Sequence, residues 1–395
     1  MKKLPTPFRS LVLLLALLAA PVALRAQTTI IRTMQAGGLT REYRLYVPAV
    51  YTRTTGTVPL LLNLHGYGSN NLEQENYGDF RPIADTASFL VVHPNGTIDG
   101  TNNRNWNTFG PRGTGVDDVA FLSTLIDTLA RRYRLDLNRV YSTGMSNGGF
   151  MSYELACQLG SRIAAIASVT GSMTTSRLAT CTSGRPVPVL EIHGTADNTV
   201  PYAGGTALQF VAIPTLLSSW VQRNGCNPTP TVTAVPDINT ADGCTAERSV
   251  WAGGRNGSVV EHFRIIGGGH TWPGSAFVIG VTNQDISASR EAWRFLRRYR
   301  LAQLLPTRGA MEPAASQLRL LPNPATDQLQ LDAGQRLTAE ALTVRDALGR
   351  RVAAAAQPLP NGGLQVATAA WPAGLYQLAV ALPGGQVLHQ KLLKQ

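Results

Sequence analysis

From about residue 30 to residue 300, short runs of branched apolar residues alternate with stretches whose apolar positions recur every three or four residues. The runs at 59–64, 89–93, 140–143, 163–169, 187–192 and 260–266 are rich in successive apolar positions, the pattern of strands buried on both faces. Between them, Val119, Leu122, Leu125, Ile126 and Leu129 fall on one helical face, with Asp117 and Asp118 where the positive end of a helix favours negative charge. The pattern predicts further helices at 149–159, 212–224 and 287–300. Strands that alternate with helices in this way build a mainly parallel sheet covered by helices, an α/β fold.

The texture changes after residue 300. Residues 301–317 carry Pro306, Gly309 and Pro313 without a clear period and read as a linker. In 318–395 the segments 328–331, 341–345 and 375–380 read as short strands, with turns marked by Leu348-Gly349-Arg350, Asn361-Gly362-Gly363 and Pro383-Gly384-Gly385. A unit of this size and pattern predicts a small C-terminal β-sandwich, too small to seat the catalytic chemistry. At the other end, Lys2, Lys3 and Arg9 precede an apolar run over 11–24, and the small Ala26 precedes Gln27. Residues 1–26 therefore read as an export signal, leaving 27–300 as the main domain of a secreted, extracellular or cell-surface protein. No later apolar stretch approaches the ~20 residues of a membrane span, so no stable span is expected.

Composition and charge then narrow the function. With 44% hydrophobic and 15% charged residues among 395, the chain can bury a sizeable core. Its formal charge of +11 raises nucleic acid as a partner, but a binder gathers cations with aromatics along one face. Here the lysines are Lys2, Lys3, Lys391 and Lys394, and the densest arginines, Arg290, Arg294, Arg297, Arg298 and Arg300, lie on one predicted helix and read as a solvated face. No nucleic-acid partner is expected. Four cysteines in an exported chain favour disulfides over metal or free thiols. Of the three possible pairings, the local one, Cys157 with Cys181 and Cys226 with Cys244, is expected because each bond closes a short loop.

The strongest chemical signal is Gly144-Met145-Ser146-Asn147-Gly148-Gly149, a G-x-S-x-G word between a predicted strand and a predicted helix. A serine hydroxyl is a weak nucleophile at neutral pH and needs a base, itself oriented by a carboxylate. Of the six histidines, His270 fits best, in the glycine-rich segment that directly follows the last predicted strand. His93 and His262 fall in strand patterns and read as structural, and His389 lies in the small domain. Asp197 follows the strand at 187–192, at the end where such sheets gather functional groups, and is preferred over Asp237, Asp242 and Asp285. His193, four residues before Asp197, reads as a packing or loop-fixing residue. Two backbone N–H donors for a developing oxyanion are expected from Asn147, after the nucleophile, and from Tyr67, in the loop His65-Gly66-Tyr67-Gly68, with His65 shaping that loop. No H-E-x-x-H or close histidine spacing suggests a metal, and no cofactor is required.

These words together resemble the secreted α/β-hydrolase esterases that include feruloyl esterases, acetylxylan esterases and polyhydroxybutyrate depolymerases: His65-Gly66-Tyr67-Gly68, the Ser146 elbow, His193-Gly194-Thr195-Ala196-Asp197, and Gly268-Gly269-His270-Thr271-Trp272-Pro273-Gly274. The resemblance implies Ser146, Asp197 and His270 as a triad and makes paired cysteines unsurprising. The expected activity is serine ester hydrolysis of feruloyl or acetyl esters on plant polysaccharide, with polyhydroxybutyrate as the alternative polymer. A serine peptidase and a non-catalytic polysaccharide-binding protein are the rival classes. Trp106 and Trp272 are candidates to stack on an aromatic acyl group or sugar, or else are partly buried structural residues. The tail resembles the type A sorting domain of type IX secretion through Leu321-Pro322-Asn323-Pro324-Ala325, Asp346-Ala347-Leu348-Gly349-Arg350, Pro372-Ala373-Gly374-Leu375-Tyr376 and the final residues from Lys391 to Gln395, implying that secretion machinery as a partner.

Overall fold

The computed structural model describes residues 28–108, 116–205, 207–301, 318–333, 336–360, 362–382 and 387–395. The expected export signal, residues 302–317 of the linker, Asn361 and the 383–385 turn lie outside the described residues. Contacts divide the chain into two units, Met1–Thr307 and Arg308–Gln395.

The first unit is laid down as β1 (Thr28–Ala36), β2 (Leu39–Val47), β3 (Val58–Leu64), α1 (Asn71–Tyr77), α2 (Arg81–Ala87), β4 (Leu90–Pro94), β5 (Thr97–Ile98), β6 (Arg104–Asn105), α3 (Asp118–Ala130), β7 (Leu135–Met145), α4 (Asn147–Gln158), β8 (Ala165–Val169), α5 (Thr175–Thr180), β9 (Val189–Gly194), α6 (Ile213–Asn224), β10 (Thr231–Ala234), β11 (Thr245–Trp251), β12 (Val260–Ile266) and α7 (Ala288–Leu296). Ten strands form one sheet in the order β1-β2-β4-β3-β7-β8-β9-β12-β11-β10. The stretch from β4 to β12 is parallel, and an antiparallel pair closes each edge. The six apolar runs of the sequence are the six parallel strands. The edge strands were not anticipated because they mix polar and charged residues with apolar ones instead of forming an apolar run: β2 reads Leu-Thr-Arg-Glu-Tyr-Arg-Leu-Tyr-Val and is only half buried.

Side-chain alternation sends neighbouring strand residues to opposite faces, so two cores form. Leu60, Leu62, Val92 and Val189 pack under α3, α4 and α6, whereas Leu61, Val91, Leu190 and Phe263 pack under α2 and α7. Asp117 caps α3 by accepting from the Ala120 N–H, while Asp118 is buried in an ion pair with Arg41 at 2.7 Å. Helix α7 stops at Leu296, short of the predicted residue 300. The arginines of this segment are not all simply solvated, because Arg294 of α7 and Arg298 beyond it converge on the buried Glu261 of β12, and Arg300 pairs with Asp136. Among the described residues no helix is long and apolar enough to cross a membrane. Sheet, elbow and flanking helices fit the α/β-hydrolase fold expected from the sequence.

The cysteine expectation holds at one pair and fails at the other. Cys157, near the end of α4, is bonded to Cys181, which caps α5, with Cα atoms 5.1 Å apart. Cys226 and Cys244 are buried free thiols. Cys226 follows α6 and packs into the core on one face of the sheet, whereas Cys244 packs into the core on the other face, so the sheet separates them. Burial pushes both thiols up, that of Cys244 to about 12, which keeps them protonated and unreactive.

The second unit contains β13 (Arg319–Leu321), β14 (Gln328–Asp332), β15 (Leu342–Asp346), β16 (Arg351–Val352), β17 (Ala355–Pro358), β18 (Leu364–Ala367), β19 (Gly374–Ala381) and β20 (Val387–Lys394). They make two antiparallel sheets, β13-β14-β18-β17 and β16-β15-β19-β20. Alternate residues of both, including Leu329, Leu331, Val344, Val366, Leu378, Val380 and Leu392, share one core.

Candidate active site

Ser146 sits between the last residue of β7 and the first of α4 with φ 54° and ψ −121°, a conformation that a non-glycine residue adopts only under constraint. The constraint is local. The Ser146 N–H donates to the Val169 carbonyl at 2.8 Å, and a Cβ on Gly148 would lie 2.1 Å from the Leu64 carbonyl oxygen. Only glycine lets the turn pass that close to the end of β3.

β9 and β12 are parallel neighbours, so their C-terminal ends open side by side. The loops that follow are tied together: the Thr195 N–H donates to Ile265 O, the Ala196 N–H donates to Gly268 O, and the Gly267 N–H donates to Thr195 Oγ1. This tie delivers Asp197 to His270. Asp197 Oδ1 accepts the N–H groups of Thr199 and Val200, each at 2.8 Å, and Oδ2 accepts His270 Nδ1–H at 2.7 Å. Burial alone would raise the Asp197 pKa, but hydrogen bonds from His193 and His270 outweigh it and hold the carboxyl well below its ordinary range. With Nδ1 engaged, Nε2 is the ring nitrogen of His270 left for proton transfer.

On the other side lies the loop after β3. His65 is buried; its Nδ1–H donates to Gly66 O at 2.7 Å and its Nε2 accepts from the Gly96 N–H at 3.0 Å. Burial drops its pKa to about 4, so it is a neutral brace for the loop. Neither the Tyr67 N–H nor the Asn147 N–H donates to another described residue, so both are free to bind an anion. A cavity of about 480 Å³ gathers Ser146, His270, Gly66, Tyr67 and Met145, together with Ser69, Glu73, Gln74, Asn76, Tyr77, Phe277 and Ile279.

Residues 41–185 match the family described as Esterase PHB depolymerase. The chain is 30% identical to "Putative esterase NocK" of Nocardia uniformis subsp. tsuyamanensis over 292 residues, covering 68% of this chain and 83% of that protein. The chain belongs to this esterase family. It is 27% identical to feruloyl esterase D of Neurospora crassa, covering 68% of this chain and 85% of that one. It is also 28% identical to a bifunctional acetylxylan esterase/xylanase of Neocallimastix patriciarum over 66% of this chain, where it spans 34% of that protein's length. The protein is a carboxylic ester hydrolase.

The esterase does not place its two candidate tryptophans in the cavity. Trp106 is fully buried; its Nε1–H donates to His65 O at 2.9 Å, and its backbone N–H donates to Asn147 Oδ1 at 2.7 Å. It is a strut between the loop after β3 and the serine elbow. Trp272 is equally buried, its indole donating to Ser289 Oγ at 3.1 Å and its edge against Phe80. Both rings are buried with their N–H groups hydrogen-bonded. The rival carboxylates also have other work: Asp242 accepts the Cys244 and Gln284 N–H groups, Asp285 accepts those of Ile238 and Asn239, and Asp237 is exposed. His262 is buried and hydrogen-bonded to Glu191 O, and His93 is fully enclosed. His389 lies on β20 in the second unit.

Sequence reasoning missed the wall of the esterase's cavity. Glu73, Gln74, Asn76 and Tyr77 come from α1, a short helix whose start is marked by Asn70, which accepts the Leu72 and Glu73 N–H groups. The Asn70…Glu73 spacing directly after the Tyr67 loop was the available signal. Phe277 and Ile279 belong to an exposed apolar run, and an apolar run inside a loop is itself a cue to a binding surface.

Proposed function

We propose that the esterase works by a two-step acyl transfer in which Ser146 is the nucleophile, His270 the base and Asp197 the carboxylate that orients it. His270 Nε2 takes the Ser146 proton as Oγ attacks the ester carbonyl. The Asn147 and Tyr67 N–H groups hold the oxyanion, and His270 then protonates the departing alcohol. Water, activated by the same histidine, releases the acid from the serine. The observation that carries this reading is the Asp197–His270 hydrogen bond of 2.7 Å, made by a histidine that lines the same cavity as the constrained Ser146.

The substrates we infer are feruloyl or acetyl esters of plant polysaccharide. The cavity is lined both by apolar or aromatic Met145, Tyr77, Phe277 and Ile279 and by polar Ser69, Glu73, Gln74 and Asn76, a combination suited to an aromatic acyl group with polar ring substituents. A polyhydroxybutyrate depolymerase is the second reading, favoured by the exposed Phe277, Val278 and Ile279 beside that cavity. The first 26 residues would direct export, and we read the two sheets of the second unit as a small β-sandwich that addresses the chain to type IX secretion. Turnover of methyl ferulate, acetylated xylan, a short nitrophenyl ester and polyhydroxybutyrate film, each beside Ser146→Ala, tests the reaction. Ser146→Ala is expected to lose about ten-thousandfold or more in kcat. Full activity in that variant would refute the mechanism, and the best substrate decides the acyl group.

A further inference from the structure

Asp197 also meets a second histidine, which the acyl-transfer steps do not use. His193 is fully buried, with Nδ1 2.9 Å from Glu191 Oε1, and Nε2 2.8 Å from Val200 O and 3.4 Å from Asp197 Oδ2. A carbonyl and an ionised carboxylate only accept hydrogen bonds, so beside an ionised Glu191 both ring nitrogens carry a proton and the ring is a cation; burial raises the Glu191 pKa, and the hydrogen bonds from His193 and Tyr153 work against that rise. Its counter-charge is in place: Glu191, two residues earlier on the same face of β9, is fully buried, and its second oxygen accepts from Tyr153 OH at 2.8 Å. Burial of the ring works against its charge, yet the hydrogen bonds to Asp197 and Glu191 prevail and lift its pKa to about 9.

We propose that His193 is a positioning residue: a sealed imidazolium that fixes the Asp197 carboxylate and keeps His270 unprotonated, hence able to act as base, at lower pH than Asp197 alone would allow. This rests on Asp197 and His270 serving as proposed above. Two histidines share Asp197 Oδ2, and a fixed positive charge on one weakens the carboxylate's pull on a proton at the other. None of the remaining groups around His193 brings a negative charge that would cancel it. Tyr202 lies edge-on at 6.0 Å. His262, on β12, is held neutral, its pKa pushed down to about 3 by burial. Arg264, paired with His193 across the β9–β12 register, adds a second positive charge over the Tyr202 ring, and Tyr153, from α4, stays protonated because burial raises it.

The test is the pH profile of kcat/KM. His193→Gln, which keeps a donor and loses the charge, is expected to move the acid limb up by about one pH unit. Glu191→Gln removes the counter-charge, so that the His193 ring gives up its proton, and should move the limb in the same direction, and the double variant should move it no further than either single change. Nitrogen NMR of the full chain carrying Ser146→Ala should show both ring nitrogens of His193 protonated between about pH 6 and 8, a readout that needs neither turnover nor a His193 variant that folds. A neutral His193 ring in that window, or an unmoved acid limb in a folded variant, overturns the proposal. Asp197→Asn separates the two failures: undiminished activity there refutes the triad and this role with it, whereas lost activity there with an unmoved limb in His193→Gln refutes only the role of His193.

Discussion

At the scale of single residues, polar contacts that hold the backbone decide how the site is built. Asn147 both offers its backbone N–H and, through its side chain, grips the 106–108 segment: Oδ1 accepts from the Trp106 N–H, and Nδ2 donates to Thr108 Oγ1 at 2.8 Å. Trp106 passes that grip to the carbonyl of His65, two residues before Tyr67. Trp106→Phe keeps most of the ring volume and leaves a buried carbonyl without its donor, at a cost of about 1–2 kcal/mol in stability. Because the Tyr67 N–H is proposed to act on the oxyanion rather than on the ground-state ester, kcat is expected to fall more than KM rises. Steady-state kinetics beside a urea titration checks both halves, and a pure KM effect would place Trp106 in substrate binding after all.

Among elements, the parallel β9 and β12 bring the loops of Asp197 and His270 to the same end of the sheet. Helix α4 is anchored at its start by the elbow and near its end by the Cys157–Cys181 bond to the cap of α5, 24 residues on. Closing a loop of that length restricts the unfolded chain, so reduction or Cys181→Ser is expected to cost about 3 kcal/mol. The denaturant midpoint should drop while the slope stays near its original value. The free Cys226 and Cys244 give a contrasting expectation for the native protein: a thiol reagent should reach neither until it unfolds, since both are buried and burial raises both pKa values.

For the whole molecule, the division into two units separates chemistry from the tail. Every residue of the proposed mechanism, and the cavity it serves, lies within Met1–Thr307, while the second unit has its own core. A chain ending at Thr307 is expected to keep kcat/KM on a soluble nitrophenyl ester within about twofold of the full chain, because the core that shapes the site is retained. A large loss in a truncated chain with an unchanged circular dichroism spectrum would mean that the second unit takes part in catalysis.

The sequence by itself determined the parallel heart of the sheet, the four long helices and the serine elbow, because burial on both faces, a 3.6-residue period and a glycine-flanked turn are local requirements that leave local marks. It also placed Asp197 and His270 at strand ends, where parallel strands direct functional groups whatever lies between them. The tertiary structure alone decided the edge strands, half-exposed segments that mix polar with apolar residues, and the fate of the cysteines, since sequence distance cannot say that a sheet stands between Cys226 and Cys244. It turned Trp106 and Trp272 inward, toward hydrogen-bond partners 41 and 17 residues away along the chain, and it set His193 between two buried acceptors on its Glu191 and Asp197 sides. Those outcomes depend on which distant side chains meet, and only the folded packing fixes that.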